Sequence, residues 1–302
     1  MASACCLPAS ERLLGAPGFP WLVSVEDSSR SHLAAGAIIS DFWIVTSPSS
    51  LKLRNDLSIV VGITGLDTVL PHDRAVYAIH KVIVHEEFDE ILHTNDIMLL
   101  MTGHKIKFSS TVQLIWFPSW DPDNAALSNC TVSGWTGPHN AGHQGSTSWC
   151  SLSVKNMNQC PLQKTLSTAC YIHHGHGDPG CVGIGGSPVS CQMKGMEKWL
   201  LAGVLPGSGM RPYLPVLYTR TSFYYEWISS RTREAGRLFT PTVTMIIVHP
   251  QSATIEKEQQ LQGEKNEGLF YDYYNADNIL NTGGHSSSPE VLLIVFVIFF
   301  AN

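Results

Sequence analysis

Residues 181–191 read C-V-G-I-G-G-S-P-V-S-C, a glycine-rich loop between two cysteines in which Ser187 is the obvious candidate nucleophile. A serine hydroxyl attacks a carbonyl only when a base within hydrogen-bond reach takes its proton. Just upstream lies His173-His174-Gly175-His176 with Asp178, a group of imidazoles and a carboxylate that could hold a metal ion. Histidines in a Gly-rich loop are more simply solvated, so neither a metal nor any other cofactor is expected. Asp96 opens the apolar run Ile97-Met98-Leu99-Leu100. A carboxylate in such a run must be satisfied by hydrogen-bond donors, here expected from the backbone.

The elements that must position these residues are short. Runs of aliphatic and β-branched residues bounded by Gly, Pro, Asn, Asp or Ser recur from Trp21 to Arg220: Trp21 to Val25, Ile38 to Thr46 with a turn at Ser40-Asp41, Leu57 to Val61, Ile79 to His85, Asp96 to Met101, and Leu200 to Val204. Several alternate with period two, as half-buried strands do, and no long helical period interrupts them. An all-β barrel class follows. Only Phe223 to Ala235, with Tyr224, Trp227 and Ile228 at helical spacing, predicts a helix. Beyond Arg237 the chain turns polar and charged, with Gln and Glu predominating from Gln251 to Gly268, as expected of a flexible linker.

Six collinear motifs resemble the chymotrypsin/trypsin-like serine proteases. Gly18-Phe19-Pro20-Trp21-Leu22-Val23-Ser24-Val25 is similar to the opening G-x-F-P-W-Q-V-S-L, and His32 to Thr46 to H-x-C-G-G-x-L-I-S-x-x-W-V-L-T. Asn95 to Leu100 resembles N-D-I-A-L-L, Cys130 to Trp135 C-x-V-S-G-W, and Cys181 to Cys191 C-x-G-D-S-G-G-P-x-x-C. Tyr218-Thr219-Arg220 with Tyr224, Trp227 and Ile228 resembles the closing Y-T-R-V-x-x-Y-x-x-W-I. Within the family the chain is most similar to members that have lost activity. The resemblance implies two antiparallel six-stranded β-barrels with a C-terminal helix and a largely disordered tail after them. Residues 1–12 form an N-terminal segment, 13–233 the trypsin-like domain, 234–290 a flexible linker and 291–302 a hydrophobic tail.

The same resemblance implies a dismantled triad. The histidine position is Ser49 and the serine position Gly185, so base and nucleophile are absent, while Asp96 remains as the carboxylate with nothing to orient. The aspartate that would pair with a cleaved N-terminus is Ile184, the base of the specificity pocket is Pro179, and a pocket-wall glycine is Val216, whose side chain should intrude. Backbone N–H groups of Gly183 and Gly185 could still form the oxyanion site. The segment that pairs with substrate becomes Leu205-Pro206-Gly207. The expectation is an inactive homologue that binds an unidentified protein partner. The alternative is a hydrolase that uses Ser187 or a metal.

Eight cysteines without C-x-x-C spacing favour disulfides and an extracellular location. The resemblance pairs Cys130 with Cys191 and Cys160 with Cys170. It gives Cys150 a partner in Cys5 or Cys6, leaves Cys181 unassigned, and loses the bridge beside the histidine position at both ends, Ala34 and Ser50. Asn129-Cys130-Thr131 is a glycosylation sequon. Met1 to Leu14 does not read as a signal peptide, which suggests an alternative or truncated start. Val291 to Ala301 is apolar and follows small residues and a polar spacer, as in a GPI-attachment signal that would tether the protein to a membrane; a tail docked on protein is the alternative. The net charge of −6 leaves no basic footprint for nucleic acid.

Overall fold

The apolar runs of the first hundred residues form β1 (Leu22–Glu26), β2 (His32–Ile38), β3 (Trp43–Thr46), β4 (Ser58–Val61), β5 (Ala75–Val84) and β6 (Met98–Thr102). They pair antiparallel in the order β1-β2-β3-β6-β5-β4, and β4 returns to β1 to close a barrel. A second closed barrel, β10-β11-β12-β9-β8-β7, comprises β7 (Leu127–Trp135), β8 (Trp149–Asn156), β9 (Thr168–His173), β10 (Pro188–Met193), β11 (Trp199–Val204) and β12 (Val216–Arg220). The expected pair of six-stranded antiparallel barrels is therefore present. The computed structural model describes residues 18–51, 56–62, 74–122, 126–135, 149–157, 159–162, 165–173, 184–194, 198–207, 215–248 and 293–298.

Each barrel closes around its own side chains. Val23, Val25, Ile38, Ile44, Ile59 and Leu100 fill the first, and Val132, Val154, Tyr171, Val189, Leu200 and Tyr218 the second. A third cluster, with Trp43, Leu99, Phe117, Leu201 and Ile228, joins strands of both barrels to the C-terminal helix. Burying each such side chain stabilises the fold by roughly 1.5–3 kcal/mol before the entropy of ordering is counted. Disulfides Cys130–Cys191 and Cys160–Cys170 are both formed. Cys150 has its backbone in β8, paired with Gly134, whereas Cys5, Cys6 and Cys181 lie outside the described residues.

The helix expected over Phe223 to Ala235 is a 3-10 turn, Thr221–Tyr224, running into α1 (Tyr225–Glu234). Glu226 in its first turn and Arg231 and Arg233 in its last complement the helix dipole. Gly236, at φ 74°, ends it in the left-handed conformation. There the Gly236 N–H reaches the Arg233 carbonyl and the Arg237 N–H reaches that of Thr232, a Schellman stop.

Packing of the first unit continues past the boundary expected at 233. The Trp43 indole N–H donates to the Arg237 carbonyl at 2.6 Å, and the buried Phe239 ring packs edge-on against Phe117 at 5.1 Å. The first compact unit accordingly runs to Thr240. In the second unit, 241–302, β13 (Val243–Val248) pairs antiparallel with β14 (Leu293–Ile298). Both segments are runs of mostly β-branched and other apolar residues, the composition that favours strand pairing.

Candidate functional site

β3 delivers the chain to the turn Pro48–Ser50, where Pro48 at the first position presets the backbone for the 3-10 bend. Asp96 lies just before β6, and β6 is hydrogen-bonded to β3, so its carboxylate faces this turn with no exposed surface. Oδ1 accepts the Ser47 hydroxyl at 2.7 Å and the Ser49 N–H at 3.1 Å; Oδ2 accepts the Ser49 hydroxyl at 2.7 Å. Satisfaction therefore comes from two hydroxyls and one backbone N–H, not from the backbone alone, and the acid does orient a partner. Burial raises the Asp96 pKa, and the three donors and His93 act against that rise.

Ser49, which the resemblance aligns with the base of a triad, lies against Asp96. Its hydroxyl gives its one proton to Asp96, while its oxygen accepts the Gly207 N–H at 2.7 Å. A hydroxyl bound in this way has no basic lone pair comparable to an imidazole nitrogen, so it cannot take a proton from a nucleophile at neutral pH. The Ser50 hydroxyl donates to the Ser47 carbonyl at 2.5 Å. This local bond braces the turn at the position where the resemblance would have a disulfide.

Gly185 lies directly against this turn. A β-carbon built on it would sit 2.5 Å from both the Gly207 Cα and the Ser50 Cβ. On Gly207 one would overlap the Ser49 carbonyl and lie 2.6 Å from the Ser50 nitrogen. The Gly207 backbone and the Ser50 β-carbon thus fill the volume that any side chain at 185 would occupy. Gly186, at φ 81°, follows, and the loop is tied to both barrels: the Ala35 N–H donates to the Gly185 carbonyl at 3.1 Å and the Gly186 N–H to the Leu205 carbonyl at 2.8 Å.

The remaining candidates separate. Ser187 is fully buried, its hydroxyl oxygen accepts the Ile184 N–H at 3.2 Å, and it packs so closely on Gly134 that a β-carbon there would collide with it. The hydroxyl offered as a relocated nucleophile is thus inaccessible in this conformation. Ile184 sits beside Leu22 and Ala35 in a small apolar cluster. Val216 is buried among Tyr171, Tyr218 and Leu205 in the core of the second barrel. Pro179, Gly183, Met210, His174, His176 and Asp178 lie outside the described residues, and His173 is described only as backbone in β9. Among the described residues no three His, Cys, Asp or Glu side chains group as a metal site. Asn129 is exposed on β7 at φ 48°, with its amide donating to Gln192 at 2.8 Å.

Sequence reasoning missed Ser47 and His93, and named Gly207 only within the substrate-pairing segment, not as a donor to Ser49. Ser47 and Ser49 could have been paired from their i, i+2 spacing before a buried acid. Gly207 carries no such signal, because it acts through its backbone and is remote in sequence. His93 has Nδ1 3.8 Å from Asp96 Oδ2, beyond hydrogen-bond length, and approaches the same oxygen that Ser49 holds.

The Trypsin family model matches residues 15–228. Curated relatives include inactive serine protease 54 of Mus musculus, 36% identical over 228 residues that cover 75% of this chain and 59% of the relative. The Rattus norvegicus protein of the same name is 37% identical over 229 residues, again 75% and 59%, and that of Homo sapiens 35% over 230 residues, 75% and 58%. The chain thus spans about three fifths of the length of these relatives. The similarity to inactive members is borne out at this level.

Proposed function

Because the chain belongs to the trypsin family, we propose that it is a catalytically inactive member that acts by binding a protein partner outside the cell. The observation that carries the inactivity is the bond pair at Ser49: its proton goes to Asp96 and its oxygen takes the Gly207 N–H, so neither a base nor space for a nucleophile remains. Similarity to relatives named inactive serine proteases supports the same reading. Two disulfides and the exposed Asn129 sequon support a secretory, glycosylated protein. No described helix is long and apolar enough to cross a membrane, and the apolar segment at 291–301 remains our candidate for a GPI-type tether.

The test is a fluorophosphonate probe and a peptide-library turnover assay on the folded full chain, with and without added divalent metal. Neither labelling nor turnover is expected. Labelling at Ser187, or turnover that depends on metal, would establish the hydrolase alternative instead.

A further inference from the structure

Apart from the Asp96–Ser49 site, a second feature of the described residues is a set of exposed apolar side chains. Ile91 and Leu92 stand on a turn with relative exposures of 89% and 52%. The turn is held by Asp89, whose Oδ1 accepts the N–H groups of Ile91 and Leu92 at 2.8 and 2.9 Å and whose own N–H donates to the Thr94 carbonyl at 3.1 Å. Asn95 ties it down again, donating from its amide to the Glu87 carbonyl at 2.9 Å and accepting the Tyr224 hydroxyl at 2.9 Å.

Arg220, which leads into the Thr221–Tyr224 turn, donates from its side chain to the Leu166 carbonyl at 3.1 Å and from its N–H to the Ser167 carbonyl at 2.9 Å, which brings two further elements alongside. One presents Leu166, 73% exposed, and the other Phe223, 54% exposed, with its ring 5.2 Å from that of Tyr224. Four large exposed apolar side chains therefore lie on three segments that hydrogen bonds of Asn95, Tyr224 and Arg220 tie together. Their supports are ordered before any partner arrives, which lowers the entropic cost of binding. A cluster of this kind, rimmed by polar residues, marks an interaction surface more often than a packing accident.

The rim identifies the partner. Residues 85–93 read H-E-E-F-D-E-I-L-H, with four acids and no Lys or Arg. Glu86 is taken by Arg231 at 2.8 Å and by the Trp227 indole at 2.9 Å, while Glu87 and Glu90 have no ion pair among the described residues. Among the described residues, Arg220 is the cation bonded to the Leu166 segment, and it is engaged by Asp121 and by the Leu166 carbonyl. We propose that Ile91, Leu92, Leu166 and Phe223 form the docking surface for a partner protein that offers an apolar anchor flanked by basic side chains, with Glu87 and Glu90 as the complementary charges. This rests on the partner-binding reading above and gives it a place other than the cleft.

The test uses the full chain, immobilised and panned against a library of short random peptides. Peptides pairing an aliphatic or aromatic residue with nearby Lys or Arg should be enriched. Their affinity should fall about 30-fold in an Ile91→Asp/Leu92→Asp variant, the loss expected of a truncated hot spot. It should fall less in Glu87→Gln/Glu90→Gln, which should also flatten the salt dependence. All four positions are exposed, and thermal melts matching the parent would exclude misfolding. Enriched peptides that bind the Ile91→Asp/Leu92→Asp variant equally would overturn this surface while leaving partner binding intact. No enrichment, or self-association or lipid-vesicle binding abolished by the same variant, would overturn the proposal.

Discussion

The Ser49 hydroxyl donates to Asp96 Oδ2 across 2.7 Å, so the carboxylate that would orient a catalytic base instead orients a side chain that cannot be one. Around that bond the two barrels are drawn together, because Ser49 belongs to the turn after β3 and its second partner, Gly207, follows β11. Ser49 is thus a junction between the two barrels.

Ser49→Ala leaves the Gly207 N–H without its acceptor and removes one donor from a buried carboxylate. The expected loss is about 1–3 kcal/mol, the cost of unpaired buried polar groups. Chemical denaturation of the variant against the parent measures it.

Restoring the triad residues should not restore activity. The side chain introduced by Gly185→Ser meets Gly207 Cα and Ser50 Cβ at 2.5 Å, an overpacking that costs about 1–3 kcal/mol. Ser49→His/Gly185→Ser should therefore be less stable than the parent and still unlabelled by fluorophosphonate. Recovery of labelling would mean that the Gly207 segment yields readily.

Stability at mildly acidic pH should depend on His32. Burial lowers its pKa to about 4, and it lies 2.6 Å from the Ser24 hydroxyl, which in turn donates to Glu26, the partner of Arg74. Between the unfolded value near 6.5 and about 4 the unfolded chain binds a proton that the native state refuses, so stability falls as pH drops through that window. The loss is at most about 3 kcal/mol. Asp96, with its pKa raised by burial, has the opposite sign: its contribution falls as pH rises above the unfolded carboxylate value. A His32→Gln variant isolates the histidine part, and its stability should change less between pH 6.5 and 4 than the parent's does.

Truncation after Thr240 should leave the melting temperature of the barrel domain unchanged, whereas truncation after Arg233 should lower it sharply. The shorter form loses the buried Phe239, a change on the scale of about 3–5 kcal/mol, and the carbonyl that receives the Trp43 indole. Calorimetry on the two forms decides the boundary.

Gly236→Ala should cost roughly 1 kcal/mol, because the residue that stops α1 is held at φ 74°. The space around it is open, so the effect reads backbone strain alone in an equilibrium melt.

The barrels were legible because strands buried on one or both faces must be written in aliphatic and β-branched residues. Leu22–Glu26 and Met98–Thr102 lie buried along their whole lengths. β7 and β8 were harder to see, since Leu127–Trp135 and Trp149–Asn156 mix Ser, Thr and Asn among their apolar residues. The packing beyond 233 was hard to see for a related reason. Nothing local distinguishes Arg237 and Phe239 from a linker until the ring of Phe117 and the indole of Trp43 are there to meet them.

By itself, the sequence determined the family and the side chains available: the resemblance sets Ser49 and Gly185 at the base and nucleophile positions, and no folding can give the one an imidazole or the other a hydroxyl. Only the tertiary structure decided what took their place. Whether Asp96 would be left open or satisfied, and whether the cleft would stay empty or fill, depends on Ser47, Ser49, Gly185 and Gly207 converging from three separate segments. Such contacts are made by hydroxyls and bare backbone, whose partners are set by chain geometry and not by residue type.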